Sequence, residues 1–326
     1  MNEKGQISSA QARELLQRQL TVWHLARENY KAYANIQSRR FDMGGFTIEA
    51  QYNPSRMPSS SAKIDEQSLR QRSCFLCPHH LPQEQEKLPF GTGYFLLCNP
   101  YPIFPEHFTI SSREHAAQEI LPRFADFLDL SSQLEACTVF YNGPKSGASA
   151  PDHLHFQAVT RCRMPVEREL NEQLSRSRLV LETSGGRLYA LTDYLHNCFV
   201  IKARTRETAT ALFRTVNNAL DIEPDETEPK MNLFALCDRQ EGQTLILVPR
   251  RRHRPWQCAA KGADRFLSSP GAADMGGLFI TVRKEDFERL TPDILRDIYG
   301  QVCYSDADMG RAVERIKCMN PKDLPM

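Results

Sequence analysis

The sequence predicts an α+β fold made of two lobes, each with an antiparallel sheet flanked by helices. Short apolar or alternating runs of strand length recur along the chain, and amphipathic runs of helical period separate them. Several strand-like runs are joined by polar turns, as at Gly242, which is typical of hairpins and antiparallel pairing. At 326 residues, the chain is also longer than one core usually serves. We therefore place the lobes at residues 1–165 and 166–326.

The individual elements follow from the period of their apolar residues. The predicted helices carry apolar residues every three or four positions, the first begins at Ser8 or Ser9, and they cover residues 8–33, 114–134, 207–220, 284–299 and 307–317. The predicted strands cover residues 46–52, 93–99, 107–110, 138–141, 198–202, 232–237, 244–248 and 277–282, and a further strand carries His153. The acidic, proline-containing stretch 221–229 is predicted to be an exposed connector.

Composition excludes several classes of function. The 41 basic and 40 acidic residues balance, which argues against a general nucleic-acid-binding protein. The first ten residues lack the apolar core of a signal peptide, and no apolar run is long enough to cross a bilayer. Ten cysteines without a secretion signal are typical of a reducing compartment. We therefore expect a soluble cytoplasmic protein that binds neither nucleic acid nor membranes.

The most informative pattern places His153, His155 and Gln157 at alternate positions, directly after a segment rich in Gly, Ser and Pro. In a strand, these three side chains would share one face, while the apolar residues between them face a core. Imidazole suits attack on phosphorus because its reference pKa of about 6.5 leaves it mostly neutral. Backbone N–H groups before the strand can hold phosphate oxygens. The pattern predicts a nucleotidyl-transfer centre with histidine as the nucleophile.

Histidines in such a stretch also have other roles in proteins. A lone buried histidine is more often structural, and two histidines can bind a metal. The two roles can also divide, with one histidine on a metal and the other free to react. Residues 147–151, Gly-Ala-Ser-Ala-Pro, lack the second glycine of a serine-hydrolase elbow. The sequence contains neither a Walker A loop nor a dinucleotide-binding glycine fingerprint.

With these residues the sequence resembles the histidine-triad superfamily and, within it, the galactose-1-phosphate uridylyltransferase branch. It is similar above all to the GDP-hexose phosphorylases, notably the plant GDP-L-galactose phosphorylases. Besides the motif at residues 153–158, similar stretches are 50–53 with Arg56, 164–167 and 283–287. The resemblance runs in order from about residue 46 to about residue 300. It implies two histidine-triad-like lobes, of which only the first keeps the reactive strand.

The resemblance also implies roles for individual residues. His155 would be the nucleophile that forms a covalent nucleotidyl-histidine, and Gln157 would contact the phosphate. Asn142 lies eleven residues before His153, as an asparagine does in the uridylyltransferases, whereas Ser149 is offset by one residue from their serine. Arg56 and Lys63 lie on a loop similar to one that enters the active site. The substrate-binding candidates are Asn53, Arg56, Lys63, Asn142, Lys145, Gly147 and Ser149.

A zinc site is predicted around Cys74-Phe-Leu-Cys77. This pair alone is half a site, and a redox pair would need a thioredoxin-like βαβ pattern, which is missing. In the uridylyltransferases, a similar cysteine pair is completed by two histidines. This resemblance implies a structural zinc bound by Cys74, Cys77, His115 and His153. Such a zinc would orient His155 without activating water. His79 and His80 are rival ligands, and the plant phosphorylases lack the cysteine pair, so the two resemblances disagree here.

The predicted function is that of a nucleotidyltransferase, or phosphorylase, acting on a nucleoside-diphosphate sugar, with GDP-hexose preferred and inorganic phosphate as partner. The alternatives are a dinucleoside polyphosphate phosphorylase, a histidine-triad nucleotide hydrolase, and a catalytically silent nucleotide-binding protein. The basic run 250–254 is either a solvated loop or faces phosphate. The second lobe is expected to shape the pocket without contributing chemistry. Oligomeric state stays open, with a homodimer suggested by the uridylyltransferases.

Overall fold

The computed structural model describes residues 5–60, 64–192 and 194–319. Its strands in chain order are β1 (Gln37–Asp42), β2 (Thr47–Tyr52), β3 (Leu88–Phe90), β4 (Tyr94–Cys98), β5 (His107–Ser112), β6 (Cys137–Asn142), β7 (His155–Thr160), β8 (Arg178–Thr183), β9 (Gly186–Leu191), β10 (Cys198–Ala203), β11 (Met231–Asp238), β12 (Gly242–Pro249) and β13 (Leu278–Thr281).

In the sequence, the helices lie before, between and after these strands. They are α1 (Ser9–Val22), α2 (His24–Tyr33), α3 (Met57–Ser60), α4 (Glu66–Gln71), α5 (Phe124–Gln133), α6 (Pro165–Arg168), α7 (Leu170–Arg176), α8 (Arg206–Ala219), α9 (Ala272–Met275), α10 (Lys284–Glu288), α11 (Pro292–Val302) and α12 (Asp306–Cys318). Among the described residues, no helix combines the length and apolar character needed to span a bilayer.

The larger sheet confirms the predicted α+β class and joins both halves of the chain. Within the described residues it has ten strands in the order β3-β4-β5-β7-β6-β11-β12-β10-β9-β8, all paired antiparallel. Each half contributes five strands in the same order: first, second, third, fifth, fourth. The two units meet where β6 pairs with β11, with Phe140 opposite Phe234. The halves therefore repeat one strand arrangement within a single continuous sheet.

A smaller sheet also combines the two halves. β2 lies between β1 and β13, and β13 pairs with β2 in parallel, which departs from the antiparallel expectation. The chain passes from the first set of five strands to the second through α6 and α7, which begin at Pro165. The boundary between residues 165 and 166 stays a prediction, because strands from both sides of it share both sheets.

The larger sheet separates two apolar cores. On one face, helices α1, α5, α8 and α12 pack against the sheet, and the ring of Phe127 lies 5.4 Å from that of Phe156 in β7. On the other face, the smaller sheet and helices α9 to α11 cover the second set of strands, where Ile246 packs in one core with Ile298. This covering layer leaves part of the first set of strands open, and the candidate site lies there.

Several predicted helices have different bounds. The helix expected at residues 8–33 begins as predicted, with the Ser8 side chain accepting from the backbone N–H of Gln11 at 3.2 Å. It is interrupted at Trp23, whose backbone is extended. The prediction of helix at residues 114–134 is wrong for its first part, because residues 114–120 form no helix and α5 begins only at Phe124. Pro122 lies in the short 3-10 turn Leu121–Arg123 just before α5, a position at the start of a helix that proline favours.

The C-terminal prediction 284–299 likewise resolves into two helices, and α11 begins at Pro292, a residue favoured in the first helical turn. The sequence patterns missed β1 and the β8–β9 hairpin. The strand β1 is polar and mostly exposed, so that its pairing with β2 defines it better than its own composition does. In β8, buried and exposed positions do not alternate cleanly.

Candidate active site

The reactive strand begins at His155, two residues later than the sequence pattern suggests. Phe156 and Ala158 are fully buried in the helix-side core, as predicted. His153 precedes the strand, where its backbone N–H donates to the carbonyl of Ala150 at 3.2 Å. The expectation of three polar groups on one strand face is therefore wrong for His153, because that residue is held in a turn. His155 and Gln157 do share the open face.

The ring of His155 is held in one orientation. Its Nδ1 lies 2.8 Å from the carbonyl oxygen of His153. Because a carbonyl only accepts, Nδ1 donates, and Nε2 keeps its lone pair. The side chain is 5% exposed, and burial lowers the pKa of His155 to about 4. At neutral pH the ring is neutral, with its basic nitrogen opposite the bound one, as an attacking imidazole requires.

Gln157 is oriented by a second histidine that the sequence analysis did not single out. His107 Nε2 lies 2.7 Å from Gln157 Oε1, and the amide oxygen must be the acceptor. Burial lowers the pKa of His107 to about 3, so that it donates as a neutral ring. The signal was present in the sequence, because His107, Thr109 and Ser111 alternate with apolar residues on the neighbouring strand β5.

Two adjoining cavities meet at this face. The larger, of about 630 Å³, reaches His155 and has an apolar, partly aromatic wall that includes Trp23 and Phe75. The smaller, of about 70 Å³, is polar and is lined by residues from both halves, including Asn142 and Asp274. Both cavities are lined by Arg56, Ser149 and Gln157. A phosphate chain at this junction would have one arm in each cavity.

Arg56 supplies positive charge at the junction. Its Nη1 donates to the Tyr101 carbonyl at 2.7 Å, which fixes the guanidinium against the cavity wall. Burial lowers the pKa of Arg56 to about 10, so the group stays charged at neutral pH. Asn142 lines the smaller cavity, and its Oδ1 accepts from Asn232 Nδ2 at 2.8 Å and from the Ala272 backbone N–H at 2.7 Å. The second half therefore holds a predicted nucleotide-contacting residue in place.

Gly147 lies against the backbone of the second half at the cavity. Its φ is +94°, a conformation that side chains other than glycine rarely adopt. A Cβ atom at this position would lie 2.8 Å from the carbonyl oxygen of Pro270 and would overlap the backbone of Gly271. Glycine is thus required for the loop to reach the second half and close the smaller cavity.

Other predicted substrate-binding residues lie elsewhere. Asn53 is buried and donates to the Pro102 carbonyl at 2.9 Å, and it is not among the residues lining either cavity. Lys145 forms ion pairs of 3.1 Å with both Asp225 and Glu226, so that the acidic connector neutralises it. Lys63 lies outside the described residues.

The basic run 250–254 divides between the two interpretations. Arg250 is buried, and its Nη1 donates to Asn232 Oδ1 at 2.7 Å. Arg251 and Arg252 are exposed, whereas Arg254 lines the smaller cavity and donates to Ser269 Oγ at 2.9 Å. The run is therefore partly structural and partly a cavity wall, a division that its sequence alone does not reveal.

The predicted metal ligands come together. Cys74 Sγ lies 3.3 Å from His153 Nδ1, and Cys77 Sγ lies 3.3 Å from His115 Nδ1. All four ligand atoms lie within 4.8 Å of one another. Tetrahedral zinc holds sulfur and nitrogen ligands about 3.5 Å apart, which these distances match. The cluster of Cys74, Cys77, His115 and His153 thus has the geometry to hold a metal ion.

The outer contacts of this cluster suit metal binding as well. His153 Nε2 lies 2.9 Å from the Ser112 carbonyl, to which it donates, so that Nδ1 presents its lone pair to the cysteines. The rival histidines form a smaller group, in which Cys77 lies near His79 and His80. His80 Nδ1 is 2.9 Å from the carbonyl oxygen of Cys74, a contact that supports the loop backbone. The four-residue set therefore fits a closed site better.

Each half of the chain matches the model of a known protein family. Residues 15–160 match a family model described as a domain of unknown function, DUF4922, and residues 165–319 match one described as GDPGP1-like, C-terminal domain. No curated protein matches the chain.

Solved structures resemble the whole fold. The crystal structure of yeast Ap4A phosphorylase Apa2 in complex with AMP is 14% identical, with a TM-score of 0.52, and the match covers 87% of this chain and 96% of that one. A second Apa2 structure is 15% identical, with a TM-score of 0.54 and coverage of 87% and 97%. A uridylyltransferase structure is 14% identical, with a TM-score of 0.42 and coverage of 87% and 100%. The chain therefore shares the fold of Apa2, and its residues 165–319 are similar to the GDPGP1-like C-terminal domain.

Proposed function

We propose that the protein is a nucleotidyltransferase of the phosphorylase type and that His155 is its nucleophile. The observation that carries this proposal is the state of the His155 ring. Its Nδ1 donates to the His153 carbonyl, burial keeps the ring neutral, and the side chain lines the larger cavity. A neutral imidazole at a junction that also presents Arg56 and Gln157 suits attack on a phosphoryl group.

The reaction consists of two displacements. The Nε2 lone pair of His155 attacks the α-phosphorus, and the bond to the bridging oxygen breaks, so that a sugar phosphate leaves with the bonding electrons. An oxygen of inorganic phosphate then attacks the same phosphorus, the phosphorus–nitrogen bond breaks, and a nucleoside diphosphate leaves a neutral His155. Two in-line steps give ping-pong kinetics and net retention at phosphorus.

The surrounding side chains would stabilise the charge that develops on the non-bridging oxygens. Because His107 occupies Oε1 of Gln157, the NH2 group of this amide is the part available to donate. Arg56 stays cationic beside the same junction. Ser149 lines both cavities and would contact the phosphate that is lost or gained.

The preferred substrate is a GDP-hexose. The GDPGP1-like second half and the resemblance to GDP-hexose phosphorylases support this preference. The volume of about 630 Å³ lies in the usual range for a nucleotide-sized ligand, and the aromatic wall suits a base. A dinucleoside polyphosphate is the second candidate, because Apa2, which shares the fold, is an Ap4A phosphorylase.

Zinc is proposed as a structural ion on Cys74, Cys77, His115 and His153. With four protein ligands it would leave no open position for water, and its contribution would be to fix the segment from which His155 projects. Metal analysis of protein purified without a histidine tag should give one zinc per chain. A Cys74→Ser variant should lose it, while Cys318→Ser, at an exposed cysteine, should keep it. Metal-free wild-type protein would remove this part of the proposal.

The main test uses substrate labelled at the α-phosphate. Wild-type protein incubated with labelled GDP-L-galactose or labelled Ap4A, in the absence of phosphate, should acquire an acid-labile label. The His155→Ala variant should acquire none, whereas His24→Ala, which changes an exposed histidine, should label normally. Full turnover by His155→Ala would refute the nucleophile.

Two further experiments separate the alternatives. If product forms only when phosphate is added, the enzyme is a phosphorylase, whereas equal turnover without phosphate indicates a hydrolase. Tight nucleotide binding with no turnover across the substrate panel would favour a silent binding protein. A homodimer stays a prediction, which light scattering of the purified chain would test.

A further inference from the structure

The two strands at the centre of the site separate just before the reactive histidine. The ladder between β6 and β7 runs from Cys137 opposite Thr160 to Phe140 opposite Gln157, where it ends among the described pairs. If the ladder continued in the same register, the next pair on this face of the sheet would be Asn142 opposite His155. The equivalent strands of the second half stay paired to their turn, with Asp238 opposite Gly242. His155 still lies opposite Ser111 in the ladder between β5 and β7, so that only its β6 side lacks a strand partner.

The side chain of Gln118 fills the gap. It is 1% exposed, and its Oε1 accepts from the backbone N–H of His155 at 2.8 Å. Its Nε2 donates to the His155 carbonyl at 3.0 Å and to the Asn142 carbonyl at 2.9 Å. One carboxamide thus satisfies both backbone groups of His155 and bridges to the opposite strand. It replaces the missing ladder bonds with an amide of the same donor and acceptor character.

Gln118 is itself held by the residues around it. The next residue but one, Ile120, donates its backbone N–H to Glu228 Oε2 at 2.8 Å, and the other oxygen of Glu228 accepts from Tyr141 at 2.6 Å. The backbone N–H of Leu154 donates to the Ala116 carbonyl at 2.7 Å. The irregular segment that carries Gln118 is therefore fixed to both strands at the gap.

We infer that Gln118 is a positioning residue for His155 and that the separation of β6 from β7 depends on it. Gln118 is not one of the described residues that line the two cavities. It therefore acts through the backbone of His155 and does not touch substrate. The inference rests on the proposed nucleophile for its kinetic consequence. Its structural consequence, a fixed His155 ring, is independent of any activity.

The kinetic test compares Gln118→Leu with Gln243→Leu. Gln243 is a matched control, since it is also buried and its side chain bonds Ser131 at 2.9 Å and Ser132 at 2.8 Å in another part of the sheet. In single-turnover labelling, Gln118→Leu should slow adduct formation by about tenfold or more, because misplaced reacting groups lose rate steeply. Its dissociation constant for GDP should stay within about twofold of wild type. Gln243→Leu should change neither quantity.

The second readout is the tautomer of His155, followed by nitrogen NMR of labelled histidines. His155→Ala identifies the signal among the nine histidines of the chain. Wild type should show a single Nδ1–H form, and Gln118→Leu should show an averaged ring. If the leucine variant does not fold, Gln118→Asn, which keeps the amide but shortens its reach, takes its place in both measurements.

The outcomes separate the two proposals. A wild-type protein without adduct but with a fixed His155 tautomer, lost on changing Gln118, would refute the proposed function and support the positioning role. Wild-type adduct rate and a fixed tautomer in the Gln118 variant would overturn the positioning role alone. Equal slowing in the Gln118 and Gln243 variants would also overturn it, because general destabilisation would then explain the loss.

Discussion

The two halves of the larger sheet place different residues at equivalent positions. Phe140 lies opposite Phe234 at the centre, and the next strand outward carries Gln157 in the first half and Ile246 in the second. Gln157 lines both cavities, whereas Ile246 is fully buried beneath helices and the smaller sheet. One strand framework thus serves as a polar centre where its outer face is open and as core where that face is covered.

The strand ends differ in the same way. In the second half, β11 and β12 meet in a short turn. In the first half, residues 143–154 separate β6 from β7, and this segment contains Gly147 at the contact with the second half and His153 at the metal cluster. The comparison shows that a longer connection between two neighbouring strands provides both a cavity and residues that line it. The second half contributes walls, through Asp274 and Arg254, as expected.

The largest effect is expected from making the covered face polar. Ile246→Gln should lower the free energy of unfolding by about 4 kcal/mol, because an amide would be buried among apolar neighbours without a partner. Urea denaturation measures the change. A matched Ile222→Gln variant, at a half-exposed isoleucine, should lose little. An Ile246→Gln protein as stable as wild type would mean that the second face is not closed core.

A second effect concerns the connector that enters the first half. Burial raises the pKa of Glu228 to about 7, although hydrogen bonds from Tyr141 and Ile120 oppose the rise and nearby Glu119 adds to it. The folded protein therefore keeps a proton that the unfolded chain has lost. The free energy of unfolding should fall by about 3 kcal/mol as pH rises from about 4.5 to about 7 and lose no more from this group above that.

Comparing Glu228→Gln with wild type isolates this contribution. Denaturation at a series of pH values should show that the difference in unfolding free energy between the two proteins changes in this window. A difference that is constant with pH would show that Glu228 is ionised throughout and that the connector is less buried than described.

The reverse exchange on the open face should affect chemistry. Gln157→Ile should slow formation of the nucleotidyl-enzyme by about a hundredfold, the usual loss for one donor that stabilises developing charge. It also leaves the His107 N–H without its acceptor, which costs stability of about 1 to 3 kcal/mol. Rapid-quench labelling and thermal denaturation separate the two effects. An unchanged labelling rate would mean that this amide does not act on the phosphate.

A smaller effect is expected at Arg56. Arg56→Ala should lower kcat/KM by about tenfold, because a cation at the junction of the cavities would be lost. Steady-state kinetics measures this, with Arg27→Ala on α2 as the exposed control. Equal kinetics in both variants would place the phosphate chain away from the junction.

Most of the correct predictions came from the spacing of residues that are close together in the sequence. The pattern at residues 153–158 predicted the alternation of His155 and Gln157 with core residues, and the cysteine spacing identified half of the metal cluster. These features need only neighbouring residues. The features that were not predicted depend on pairing between strands that are far apart in the sequence. The joining of both halves at β6 and β11 could not be predicted, because strands far apart in the chain form it.

The same reason explains the residues that were missed. Gln118 matters only because β6 and β7 separate, and His107 only because β5 pairs with β7. The break at Trp23 is also tertiary in origin, since the apolar period of residues 8–33 continues through it while the side chain turns to the cavity wall. Pro122 and Pro292 mark two missed helix boundaries that the sequence itself signalled, because proline is favoured in a first helical turn.

The most direct test of the account is peptide mass spectrometry after the protein is mixed, without phosphate, with a panel of nucleoside-diphosphate sugars and Ap4A. The account predicts a nucleotidyl adduct on His155, its mass identifying the base, and the release of that adduct as nucleoside diphosphate when phosphate is added. An adduct on another residue, or turnover with no adduct and undiminished rate in His155→Ala, would contradict it.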